Sequence, residues 1–106
     1  MGRFVIVAYK PKLGQEQRLE QVVAKHLSVL ASEQLVTNRS AYVMRAKDGT
    51  LVEVFEWQSA EAIAKAHSNP NVQALWAEFG AVCDYVPLAT LAESQQMFAE
   101  FDPVSI

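Results

Sequence analysis

Apolar positions run almost unbroken from Phe4 to Tyr9 and then switch to helical spacing, and this change of period opens the prediction of the fold. The first run predicts a strand covered on both faces. Beyond Pro11 and Gly14, the residues Leu19, Val22, Val23, Leu27 and Leu30 form one stripe of a helix running from Gln15 to about Leu35. Thr37–Ser40 is polar and loop-like. Ala41–Lys47 and Leu51–Trp57 return to strand-like patterning on either side of Asp48-Gly49, a hairpin signal. Ser59 stands where a helix N-cap belongs, before Ala60–His67. Asn69-Pro70 breaks that helix, and helical spacing resumes from Asn71 to Val82. Asp84–Leu91 reads as a fourth strand whose Pro87 marks an edge or a bulge. The segment Glu93–Ile106 is helical in composition up to Phe98 and then meets Pro103.

The order β-α-β-β-α-β predicts an α+β, ferredoxin-like fold: a four-stranded antiparallel sheet with its helices on one face. A two-residue turn at Asp48-Gly49 would place Tyr42, Met44, Leu51, Phe55 and Trp57 on one face of the hairpin. Ala41, Val43, Val52 and Val54 would then share the other. Both faces are apolar, and the helices suffice for only one. A contiguous apolar sheet is rarely left in water, so the expected cover is a second copy of the chain about a two-fold axis, the two sheets closing a dimeric α/β barrel. Residues 1–92 form the domain on this reading. Residues 93–106 form a tail whose Met97, Phe98 and Phe101 are expected to contact the partner protomer. Arg45 and Glu56, placed together on the second face, are expected to pair across that interface.

Composition narrows the class of function. At 106 residues the chain has room for one core. Apolar residues make up 51% and charged residues 20%, the balance of a folded domain and not of a disordered one. A net charge of −3 with scattered Lys and Arg offers no track for a nucleic-acid backbone. No apolar stretch reaches the roughly 18 to 20 residues that span a bilayer. Met1-Gly2-Arg3 runs straight into the first strand without a leader, so a cytoplasmic location is expected. The single Cys83 provides no intramolecular disulfide and reads as a small buried hydrophobe. The chain contains no metal-spaced His/Cys/Asp cluster, phosphate-binding glycine loop or nucleophile elbow, so neither a metal nor a bound cofactor is expected.

The candidate chemistry is aromatic and acid–base. Trp57, Trp76, Phe55, Phe79 and Tyr42 can wall a pocket for an aromatic molecule, Trp57 and Trp76 foremost because a buried indole N–H wants a partner. Glu53 shares the bulky face with Trp57, an unusual place for a carboxylate, and needs a hydrogen-bond partner there. His67 ends the short helix beside the Pro70 break. It is either a base reaching the pocket mouth or a histidine bonded to the last helical carbonyls. His26 falls within the stripe of the first helix, four residues after Val22, and reads as a satisfied histidine at the edge of the core.

The run VFEWQSAEAIAKAHSNP, with its strand-terminal aromatic, Ser, short Ala-rich helix, His and X-X-Pro, resembles the antibiotic biosynthesis monooxygenase type of dimeric α/β barrel protein, a group that includes quinol monooxygenases. The resemblance spans roughly residues 3 to 91. Relatives with the fullest pattern place a His where this chain has Ala66 and a second His where it has Asn71, and several carry a glutamate at Phe55. The haem-degrading members' Asn, Trp and His fall on Ala8, Ala66 and Trp76, which disfavours haem chemistry. The resemblance implies a homodimer and a cofactor-independent monooxygenase acting on a small phenolic or quinol-like molecule with O₂. On that reading His67 is the base, and Trp57, Trp76, Tyr42, Phe55 and Glu53 bind the substrate. The alternatives are a non-enzymatic small-molecule-binding dimer, or an isomerase or lyase using His67 and Glu53 as an acid–base pair.

Overall fold

The computed structural model describes residues 2–106; Met1, where the predicted domain begins, lies outside the described residues. The first apolar run forms β1, Arg3–Pro11, and the stripe that follows forms α1, Glu16–Ser32. The stripe buries Leu19, Val22, Val23, His26 and Leu30, each three or four residues from the next contact on the same side. The helix stops short of Leu35 because Gln34 takes a left-handed conformation, φ 59°. Gln34 N then donates to Ala31 O and Leu35 N to Leu30 O, the paired bonds of a Schellman cap, while Leu30 and Leu35 bury together.

β2 (Tyr42–Arg45) and β3 (Leu51–Trp57) form the hairpin, with Arg45 opposite Leu51 and Tyr42 opposite Val54. This register corrects the predicted faces. Ala46 and Thr50 close a loop of Lys47, Asp48 and Gly49, in which Gly49 N donates to Ala46 O and Gly49 adopts φ 93°. The loop has three residues and not two, and one residue of slip turns every side chain of β2 over. Val43 and Arg45 therefore face the helices with Leu51 and Glu53, while Tyr42 and Met44 face outward with Val52 and Val54.

Ser59 caps α2 (Ala60–Ala66) by accepting from Ala62 N at 3.1 Å. Pro70 is the first residue of α3 (Pro70–Val82), where a missing N–H costs nothing, and Asn69 Oδ1 caps it by accepting from Asn71 N and Val72 N. β4 is shorter than predicted, Cys83–Val86, and Pro87 ends it. The segment after it turns through short 3₁₀ stretches at Leu88–Thr90 and Ala92–Gln95 and then adds β5, Asp102–Pro103.

The sheet is antiparallel with five strands in the order β4-β1-β3-β2-β5, a ferredoxin-like α+β fold with one strand more than predicted, and it is open within the chain. α1 and α3 pack together on its inner face, bridged at the surface by Lys25 and Glu78 at 2.6 Å. The inner core joins Tyr9, Leu19, Leu51, Leu75, Phe79 and Val82. On the outer face, the chain's own tail covers only one end, where Leu91 and Phe101 pack on Ala8, Val52 and Met44. Phe4, Ile6 and Tyr42 stay 57%, 54% and 71% exposed, so β1 is covered on both faces only at its Ala8–Tyr9 end.

Candidate functional site

Between the inner face of the sheet and the helices lies a cavity of about 360 Å³. Alternation along β1 delivers Val5, Val7 and Tyr9 to it, and alternation along β3 delivers Phe55 and Trp57. α3 contributes Trp76 and Phe79, β4 contributes Tyr85, and the single imidazole in the wall is His26 of α1. Tyr85 is 53% exposed and stands where the cavity meets solvent.

Behind this wall is a buried polar cluster. Glu53, 1% exposed, accepts through one oxygen, Oε1, from Tyr9 Oη at 2.7 Å and from His26 Nδ1 at 2.7 Å. Three elements supply the three groups, so each is held by a separate piece of the core. Since a carboxylate can only accept, Nδ1 of His26 carries the proton in this contact, and the lone pair of a neutral ring resides on Nε2. The ring is fixed further by edge contacts to Phe55 and Phe79, with centroids at 5.2 and 5.0 Å. Tyr9 stacks on Phe79 at 4.7 Å. Burial, reinforced by the charge of Glu53, drives the Tyr9 hydroxyl far above its ordinary pKa, so it remains a phenol and a donor. Burial also pushes Tyr85 up to about 12, so the group at the cavity mouth is likewise neutral near pH 7. Glu53 thus has the partners that its position on a buried face required.

The predicted site residues divide. Trp57 and Phe55 are buried and Trp76 half-buried in the cavity wall, and Glu53 lies just behind it. Tyr42 does not join them: the three-residue hairpin loop carries it to the outer face. His67 is an exposed C-cap of α2 whose Nδ1 donates to Ile63 O at 2.9 Å, and its ring meets the edge of Trp76 at 5.1 Å without lining the cavity. Glu53 takes its imidazole from His26, so the pairing of His67 with Glu53 is not formed. Arg45 and Glu56 fall on opposite faces of the sheet and find partners within the chain, Arg45 with Glu20 at 2.9 Å and Glu56 with Arg39 at 2.8 Å. Sequence reasoning underrated His26. The available signal was a histidine in the buried stripe of α1 together with a carboxylate on the buried face of β3, two polar groups that need each other. Among the described residues, no group of three or more His, Cys, Asp or Glu side chains is placed to hold a metal ion, and no helix is long and apolar enough to cross a membrane.

Fold and site together define a ferredoxin-like α+β domain with an aromatic cavity between sheet and helices, backed by a buried Tyr–Glu–His cluster. Among solved structures, the chain is similar to SnoaB, a cofactor-independent oxygenase from Streptomyces nogalater, with a TM-score of 0.64 and 16% sequence identity over 80% of this chain and 85% of that one. At that identity the likeness is one of fold, and it supports the fold family suggested by the sequence motif. No protein-family model matches the chain, and no curated protein matches it by sequence.

Proposed function

We propose that this protein is a cofactor-independent oxygenase that oxidises a small phenol or quinol in the cavity, with His26 as the base. The observation that carries this reading is the lone imidazole in an aromatic wall, its Nδ1 held at 2.7 Å by a buried carboxylate. That bond leaves Nε2 as the nitrogen available to a ligand and would stabilise the imidazolium that forms when it takes a proton. The likeness to an oxygenase fold supports the same reading.

The chemistry follows from the substrate's own electrons. His26 Nε2 removes the hydroxyl proton, and the resulting phenolate is electron-rich enough to reduce O₂. One oxygen atom bonds to a hydrogen-bearing ring carbon ortho or para to the ionised hydroxyl, and the second leaves as water with the two hydrogens lost from that carbon and a hydroxyl. A phenol plus O₂ thus gives a quinone plus water, with all four electrons coming from the substrate. Trp57 and Trp76 hold the ring, and the apolar wall strengthens the attraction between imidazolium and phenolate by excluding water. Tyr9 keeps Glu53 in place by sharing its oxygen.

The assembly proposed with this chemistry is a homodimer formed through the outer sheet face, supported by the exposure of Phe4, Ile6 and Tyr42, with the exposed Met97 and Phe98 of the tail reaching the partner. Oxygen uptake with a panel of reduced one- and two-ring quinols tests the enzymatic reading. Tight binding without uptake would favour the binding-module alternative.

A further inference from the structure

Resting on the oxygenase reading above, we infer that the cavity selects electrically neutral phenols of one or two rings and rejects those bearing a carboxylate. Three observations converge on this. The cavity wall offers hydrocarbon, two indoles, two phenols and one imidazole, and no Lys or Arg contributes to it. Directly behind His26 stands the Glu53 carboxylate, 1% exposed. The volume of about 360 Å³ lies at the lower end of the range for small-molecule sites.

The charge balance makes the first two decisive. With a neutral substrate, proton transfer converts hydroxyl and imidazole into phenolate and imidazolium, so the Glu53–His26–substrate group keeps the single negative charge it began with. A second carboxylate on the substrate would have no counter-charge in the wall. It would also enter a low-dielectric space already facing Glu53. Any anion in this site must therefore be made there, at the one position where His26 supplies its counterion.

The test uses three ligands of matched shape: 2-naphthol, 6-hydroxy-2-naphthamide and 6-hydroxy-2-naphthoate, titrated anaerobically into the intact protein. The two tryptophans of the chain both line the cavity, so their indole N–H resonances report occupancy directly, with calorimetry giving Kd. The naphthol and the amide should bind within about threefold of each other and shift both indole signals, while the carboxylate should bind at least about tenfold more weakly, the penalty of an unpaired anion. Glu53→Gln, which keeps an acceptor for Tyr9 and His26 while removing the charge, should narrow the gap between amide and carboxylate. If Glu53→Gln does not fold, the wild-type amide-to-carboxylate ratio decides alone. Carboxylate binding as tight as the amide's, with the same indole shifts, overturns the inference, as does failure of both neutral ligands to move the indoles. Oxygen uptake is measured separately. Selective binding of neutral ligands without uptake sinks the oxygenase and leaves the selectivity standing, whereas uptake with the carboxylate does the reverse.

Discussion

Glu53 collects two donors on one oxygen, and that arrangement makes opposite demands on its possible replacements. Glu53→Ala strands the Tyr9 hydroxyl and the His26 Nδ1–H in a buried space, and should cost about 2–4 kcal/mol in urea unfolding. Glu53→Gln retains an accepting oxygen at the same reach and should cost clearly less. Equal losses for both would mean that the hydrogen bonds to Oε1 contribute little to stability. The two histidines should separate just as sharply. His26→Gln should lower turnover about 10²-fold or more, the scale for losing a general base. His67→Ala removes an exposed bond to Ile63 O and should leave turnover near wild type and stability within about 1 kcal/mol. Steady-state rates on both variants check the pair, and a large loss confined to His67→Ala would return the base to α2. Trp57→Ala should weaken substrate binding and stability together, by about 3–5 kcal/mol in the latter, because it empties a buried ring's volume beside Phe55.

At the scale of elements, much of the fold was legible because period and punctuation agree. The Leu19–Leu30 stripe, the Ser59 cap and the Asn69-Pro70 break each point to the element found there. Two features were not legible, for local reasons. Asp48-Gly49 suits both a two-residue turn and the last positions of a three-residue loop, and only the observed register shows that the loop begins at Lys47. That single residue decides the side taken by Tyr42, Val43 and Arg45. The tail was obscure because its structure comes from long-range contacts: Leu91 beneath it, Glu93 accepting from Lys47 N at 2.8 Å, and a two-residue strand against β2. The loop assignment itself can be tested. Gly49 has φ 93° and open space where a Cβ would go, so Gly49→Ala should destabilise through backbone strain alone, by about 1–2 kcal/mol in thermal or urea melts. A neutral result would argue for a turn in which this residue is not left-handed.

For the whole molecule, the outer sheet face and the cavity make separate claims. Ile6 is 54% exposed on the outer face, whereas Val43 packs inward against the core. Ile6→Lys should therefore yield a folded monomer in sedimentation equilibrium, and Val43→Lys should lose the fold. A wild-type chain that sediments as a monomer at micromolar concentration would remove the proposed dimer. The aromatic half of the cavity was readable in the sequence, since alternation along β3 aligns Phe55 and Trp57 on the face of Glu53. The base was not, because a histidine in a helical stripe looks the same whether its ring meets a carboxylate or only packs, and the Glu53 that distinguishes them lies 27 residues away on another element. The most direct measurement is oxygen consumption by metal-free protein given a reduced two-ring quinol, with substrate and products quantified together. The His26 mechanism predicts uptake above autoxidation, one O₂ per substrate, water and not peroxide as co-product, and a loss of about 10²-fold in His26→Gln. No uptake above the background rate, or undiminished uptake by His26→Gln, would contradict it.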